Sequence, residues 1–101
     1  SVRRTRIREI LRRCFSKLDD PSRFSTHELH GLVMAMSKDD LKGIPFAASL
    51  VARIERVDTF SMFIVGHPEI GRHEDGNVNI AAFGDGRRRS GVWELRVTAT
   101  S

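Results

Sequence analysis

Cysteine is almost absent from this chain of 101 residues, which contains Cys14 alone. A single cysteine cannot form a disulfide within the chain, and it cannot supply a cysteine-based metal framework. Cys14 also falls on an apolar stripe at helical spacing, together with Ile10 and Leu11. We therefore expect a small buried hydrophobic side chain at this position and not a reactive thiol.

Long apolar runs are missing as well. The longest run without a charged residue or a histidine, from Gly43 to Ala52, has ten residues. A membrane-spanning helix needs roughly 20 apolar residues. The basic N-terminal segment lacks the apolar stretch and the cleavage site of a secretory signal peptide. We therefore expect no membrane partner and an intracellular location, in the cytoplasm or the nucleoid.

The common catalytic signatures do not occur in the sequence either. No serine or cysteine has a convincing general base, and there is no phosphate-binding glycine loop and no dinucleotide fingerprint. We therefore expect a protein that is not an enzyme and that needs no cofactor. With 40% hydrophobic and 30% charged residues and no low-complexity tract, residues 1–101 are predicted to form one globular domain.

Positive charge, in contrast, is abundant near the start of the chain. Residues 2–18 contain seven cations against one carboxylate, Glu9, for a balance of +6, whereas the whole chain carries +4. Of the 17 cations 14 are arginine, whose planar guanidinium suits phosphate and base edges better than the ammonium group of lysine. This distribution favours an anionic partner, which is either a nucleic acid or an acidic protein.

Three segments show apolar residues at spacings of three and four, which is typical of amphipathic helices. They cover about residues 4–18, 26–36 and 45–57. The second begins with a capping box, Ser25 to Glu28. The third has Pro45 in its first turn, where proline is favoured, and it is predicted to bury Phe46.

From Thr59 onward the apolar period becomes two, which indicates strands. Strands are expected at about residues 59–65, 77–83 and 91–99. The connection from Gly84 to Gly91 is predicted to be a hairpin turn with three arginines at its tip. The predicted fold class is α+β, with three N-terminal helices packed on a C-terminal antiparallel β-meander or hairpin.

The segment Phe24-Ser25-Thr26-His27-Glu28-Leu29, the segment from Ala48 to Val57 and the hairpin that follows form a familiar order of elements. Over roughly residues 5–99 this order resembles the winged helix-turn-helix superfamily of DNA-binding domains. The resemblance implies a winged-helix-like fold and non-catalytic binding of duplex DNA, as in a small transcription regulator. It also implies that the third helix reads the major groove and that the hairpin tip is the wing. The implied nucleic-acid-binding residues are Ser49, Arg53 and Arg56 on the helix and Arg87, Arg88 and Arg89 on the tip. A homodimer is compatible with this interpretation, because such regulators often bind two half-sites.

The first helix offers a secondary basic face, formed by Arg4, Arg8 and Arg12. Arginines near a helix N-terminus oppose the helix dipole, and Arg8 and Arg12 are a like-charge pair one turn apart. Helix stability alone therefore does not favour them, and attraction to phosphate is one explanation. The alternatives are a protein-interaction module or inhibitor that docks this helix on an acidic partner, and a solvated face in which Glu9 pairs with Arg13.

A third hypothesis, a metal-dependent nuclease, depends on a segment that is rich in histidine and carboxylates. Its residues are His67, Glu69, His73, Glu74 and Asp75. They lie in one predicted loop without H-E-x-x-H or HNH-like spacing, so no rigid element aims them at one point. We therefore expect a solvated polar loop and no metal.

Overall fold

In a computed structural model that describes residues 1–79 and 89–96, the chain forms four α-helices and a three-stranded antiparallel sheet. The helices are α1 (Val2–Cys14), which a 3-10 turn extends over Phe15–Lys17, α2 (Thr26–Met34), α3 (Ala47–Arg53) and α4 (Val57–Ile64). The strands are β1 (Phe24–Ser25), β2 (Ile70–Asn79) and β3 (Arg89–Leu95), in the order β1-β3-β2 across the sheet. The fold class is α+β, as predicted, with one helix more than the sequence indicated.

The apolar stripe predicted for the first helix is confirmed. Ile7, Ile10, Leu11 and Cys14 are completely buried at spacings of three and four, so α1 presents one continuous face to the core. Burial raises the pKa of the Cys14 thiol to about 11, so the thiol stays protonated near neutral pH. Cys14 is therefore a core side chain, as expected.

The start of α2 follows the predicted capping pattern. Ser25 Oγ accepts the backbone N–H of Glu28 at 3.0 Å. Phe24 and Ser25 also form β1, which pairs with Trp93 and Val92 of β3. This strand was not predicted, because two residues are too few to leave a period in the sequence.

Trp93 fixes the sheet against α2. Its Nε1 donates to Thr26 Oγ1 at 2.8 Å, and the Thr26 hydroxyl donates to the carbonyl oxygen of Gly91 at 3.5 Å. The guanidinium carbon of Arg72 lies 4.8 Å from the indole centroid, within the range of a cation–π contact. A buried indole N–H needs an acceptor, so the position of Thr26 at the start of α2 sets the position of the sheet.

The strand predicted for residues 59–65 is wrong, because this segment belongs to α4. The helix buries Phe60 and Ile64, which are four residues apart and therefore share a face, and it packs against α1 and α2. The β-branched and aromatic composition of the segment is a weak preference that this packing overrides. The helix predicted for 45–57 is shorter than expected, since α3 covers Ala47–Arg53 and Val57 is already the first residue of α4.

The last two strands differ from the prediction mainly in their bounds. β2 begins at Ile70, within the segment expected to be a loop, and its pairing with β3 shifts register between Arg72 and Asn77. Gly76 makes this irregularity possible, because its φ of 68° is one that glycine adopts without strain. Residues 80–83 and 97–99 of the predicted strands, and residues 84–88 of the predicted hairpin turn, lie outside the described residues.

Candidate nucleic-acid interface

The N-terminal half of α1 and the outer side of α3 form a shallow depression of about 330 Å³ on the surface. Arg3 and Arg6 lie one turn apart on α1, and Ser49 and Arg53 lie one turn apart on α3. The two pairs meet because α1 packs against α3. The depression is lined by Val2, Arg3, Arg6, Phe46, Ser49, Leu50 and Arg53. The structure thus brings two of the predicted residues, Ser49 and Arg53, together with two arginines that the sequence placed on a different element.

The charge of this depression is uncompensated. The side chains of Arg3 and Arg53 make no hydrogen bond or ion pair in the part of the chain that the structure describes. The guanidinium carbon of Arg6 lies 6.0 Å from the ring centroid of Phe46. None of the residues that line the depression is a carboxylate. Three positive charges therefore share one open surface, and such a surface attracts anions.

Phe46 lies at the start of α3 and is 76% exposed, so the prediction that its ring is buried is wrong. Its backbone has φ 58° and ψ 30°, and it is the only non-glycine residue with a positive φ among residues 1–79 and 89–96. This left-handed conformation costs roughly 1–2 kcal/mol for a residue with a Cβ atom. Because helical geometry begins one residue later, Phe46 leaves the stripe that its spacing from Leu50 suggested.

The turn that precedes α3, residues 37–43, is attached to α1 by Arg13. Its Nη1 donates to the carbonyl oxygens of Asp40 at 3.0 Å and Lys42 at 2.6 Å. Within the turn, the backbone N–H of Ser37 donates to the Asp40 carboxylate at 2.9 Å, and this bond is the main reason that the pKa of Asp40 is lowered. Lys17 pairs with the same carboxylate at 3.1 Å. These contacts hold the start of α3 in place.

The other predicted binding residues lie elsewhere. Arg56 is exposed and immediately precedes α4, and its side chain has no hydrogen-bond partner among the described residues. It does not line the depression. Arg89 is the first residue of β3, but its side chain is not described by the structure. Arg87 and Arg88 lie outside the described residues. The proposed wing therefore remains a prediction.

The secondary basic face predicted on the first helix consists of Arg4, Arg8 and Arg12. In the structure these side chains have different surroundings. Arg12 pairs with Glu9 at 2.8 Å and with Glu69, so two carboxylates share its charge. Arg8 donates to the carbonyl oxygen of Gly66 at 3.1 Å. The side chain of Arg4 has no partner within the described ranges. The three side chains do not form one free surface.

Arg4 and Arg8 instead border a second depression, of about 370 Å³, beside α4. Its lining includes Met62 and Val65, which are 72% and 59% exposed. This surface combines positive charge with exposed aliphatic side chains, whereas the exposed apolar side chains of the depression between α1 and α3 include the aromatic ring of Phe46.

Comparison with known proteins finds no matching family model, no matching curated protein and no matching solved structure. No helix in the described part of the chain has both the length and the apolar character needed to cross a bilayer.

His67 is a core residue and not a solvated loop residue, so that expectation is wrong. It is 2% exposed, and its Nδ1 accepts the backbone N–H of Glu69 at 3.1 Å. Its Nε2 must therefore carry the proton, which it donates to the carbonyl oxygen of Arg8 at 3.2 Å. Burial lowers the pKa of His67 and favours this neutral form. His67 connects the start of β2 to the middle of α1.

Two other members of the histidine-rich segment, His73 and Asp75, have partners within the protein. His73 Nδ1 accepts the backbone N–H of Asp75 at 3.0 Å, and the Asp75 carboxylate pairs with Arg23 at 2.7 Å. Among the described residues, no group of three or more His, Cys, Asp or Glu side chains is arranged to hold a metal ion. No observation in these residues therefore favours the nuclease hypothesis.

Proposed function

We propose that this protein binds nucleic acid without catalysing a reaction, through the depression between α1 and α3. Arg3, Arg6, Phe46, Ser49 and Arg53 form what we call the α1–α3 surface. The observation that carries the proposal is the convergence of three arginines at this surface with no carboxylate among the residues that line it.

Phosphate is the anion that this set of groups suits best. The guanidinium of arginine donates in a planar fork that matches two phosphate oxygens. A serine hydroxyl such as that of Ser49 is a further common phosphate donor. Because the depression is shallow and open, it suits a chain of phosphates that passes over it rather than a small anion that must be enclosed.

The order of elements also supports this proposal. The β2–β3 hairpin follows the helices, and β1, which lies between α1 and α2, pairs with β3. This arrangement is compatible with a winged-helix-like domain. In such a domain the tip residues Arg87, Arg88 and Arg89 would add phosphate contacts beside those of the α1–α3 surface.

The test is a binding titration of the whole chain against single-stranded DNA, duplex DNA and RNA at two salt concentrations. The logarithm of the binding constant should fall linearly with the logarithm of the salt concentration. Arg3→Ala and Arg53→Ala should each weaken binding and reduce this slope by about 0.7 to 0.9 if each side chain contacts one phosphate. Arg12→Ala is the matched control, because it removes the same charge from the same helix at a site already paired with carboxylates. Its slope should stay close to that of the wild type.

A second candidate function has one observation in its favour. The depression that Arg4 and Arg8 share with Met62 and Val65 offers cations beside exposed apolar side chains. These two exposed aliphatic side chains suit the apolar face of an acidic amphipathic segment of a protein partner better than a phosphate backbone. Failure of the wild type to bind any nucleic acid at low salt, where electrostatic attraction is strongest, would favour this candidate over the first.

A further inference from the structure

We propose that Phe46 stacks on an unpaired nucleobase, so that the ligand of the α1–α3 surface is single-stranded. The inference rests on the proposed function and goes beyond it, because it names the form of nucleic acid that the surface accepts. It follows from the juxtaposition of an exposed aromatic ring with three arginines at the edge of one depression.

Folding stability alone disfavours a phenylalanine at position 46. Most of the ring is in solvent, so it contributes little apolar burial. The residue occupies the N-cap of α3, where serine or asparagine would satisfy a backbone N–H, and it makes no capping hydrogen bond. Its positive φ suits glycine or asparagine. Strained residues of this kind cluster at ligand-binding sites.

The surroundings of the Phe46 ring are positively charged. The Arg6 guanidinium lies beside the ring, and Arg3 and Arg53 face the same depression without a partner among the described residues. An aromatic platform within a cationic groove is the combination by which proteins bind single strands with little regard to sequence. A strand whose base stacks on Phe46 passes close to these arginines, because the ring and the three side chains line the same depression.

A duplex does not meet these requirements. Its bases are stacked on each other and paired, so their faces are not available to a side chain. The outer side of α3 also exposes Ala48 and Ala52, which carry no hydrogen-bonding group for the base edges of the major groove. The geometry of this surface thus favours an unpaired base over the duplex that the family resemblance implies.

The experiment compares three labelled probes of equal length by fluorescence anisotropy. They are a deoxythymidine oligomer, an abasic oligomer with the same phosphates and no bases, and a duplex. The wild type should bind the deoxythymidine oligomer most tightly. Phe46→Ala should weaken that binding by roughly 5- to 100-fold, which corresponds to the loss of one stacked base. It should leave the affinity for the abasic oligomer and the salt dependence unchanged.

Two further variants separate stacking from charge. Phe46→Trp should retain the affinity for the deoxythymidine oligomer, because indole offers a larger aromatic face. Arg3→Ala should weaken the deoxythymidine and abasic probes by the same factor, because both carry the phosphates.

Phe46→Gly keeps the test independent of folding. It removes the ring and also the strain of a positive φ, so its melting temperature should equal or exceed that of the wild type. A loss of binding in this variant is therefore not a loss of fold.

The outcomes distinguish the inference from the function on which it rests. If Phe46→Ala affects the deoxythymidine and abasic probes equally, or if the wild type prefers the duplex, the stacking inference is overturned and nucleic-acid binding stands. If the wild type binds none of the three probes at low salt, both fail, and the second candidate function, the binding of an acidic protein segment, is favoured.

Discussion

The two halves of α1 both carry arginines, but their side chains have different surroundings. In the C-terminal half, Arg12 pairs with two carboxylates, and Arg13 donates to the carbonyl oxygens of the turn before α3. In the N-terminal half, Arg3 and Arg4 have no side-chain partner within the described residues, and Arg6 contacts only the exposed ring of Phe46. One half connects parts of the fold, and the other half leaves its charge available.

The arginines without partners lie at the end of α1 where the helix dipole disfavours positive charge. Cations are favoured near the C-terminus of a helix and disfavoured near its N-terminus, where the backbone already carries partial positive charge. The arginines of the C-terminal half therefore stabilise α1 twice, through the dipole and through their partners. Those of the N-terminal half lack both contributions. The arginines of α1 thus belong to two different surfaces. The net charge of the helix alone does not show which of them are available to a ligand.

The largest expected effect is on the free energy of unfolding, and it tests whether both halves of α1 are packed equally well on their buried side. Ile7→Ala in the N-terminal half and Leu11→Ala in the C-terminal half should each lower the free energy of unfolding by about 2–5 kcal/mol, because both side chains are fully buried. Urea denaturation measures both. Val2→Ala, at an exposed position, is the control and should change stability by no more than about 0.5 kcal/mol. A near-neutral Ile7→Ala would show that the N-terminal half is not packed and would break the comparison.

A smaller effect on the free energy of unfolding should distinguish the arginines of the C-terminal half of α1 from those of the N-terminal half. Arg13→Ala removes two hydrogen bonds that attach the turn before α3, and it should lower the free energy of unfolding by about 1 kcal/mol. Arg3→Ala removes no such contact, so its stability should stay within about 0.5 kcal/mol of the wild type. The same urea measurements apply. Equal losses for the two variants would contradict the division of α1 into a connecting half and an available half.

The smallest effect concerns His67, which binds the middle of α1 through the carbonyl oxygen of Arg8. Because the pKa of His67 is lowered in the folded state, its contribution is complete above the ordinary histidine pKa of about 6.5. It decreases as the pH falls below that value, since the unfolded chain then binds the proton more readily. The free energy of unfolding of the wild type should therefore decrease relative to that of His67→Gln between about pH 7 and pH 5. A difference that stays constant or grows over this range would show that His67 does not fold as the neutral form.

Much of the fold was predictable because it depends on regular spacing. The buried stripe of α1 leaves a period in the sequence, and the cap of α2 leaves a paired signature. The segment 59–65 was mistaken for a strand because a short apolar run of seven residues fits either period. Its packing against α1 and α2 decides in favour of the helix, and that packing is not local information.

The candidate site was predictable only in part, for a similar reason. Ser49 and Arg53 follow from the outward face of a helix, but their meeting with Arg3 and Arg6 depends on how α1 packs against α3. Phe46 was missed because its spacing from Leu50 is helical, whereas its backbone is not. The one available signal was the position of an aromatic residue directly after Pro45, where a helix start needs a capping side chain.

The pairing of β1 with β3 sets the order in which this chain can complete its fold as it is synthesised. Phe24 pairs with Trp93, and the intervening segment contains α2, α3, α4 and β2. The helices can begin to pack while later residues are still being added, but β1 has no strand to pair with until β3 exists. The hydrogen bond between Thr26 and Trp93 forms only at that stage. A nascent chain that stops before Arg89 therefore leaves β1 without its pairing strand and the Thr26 hydroxyl without its indole donor, so completion of the sheet waits for nearly the last of the described residues.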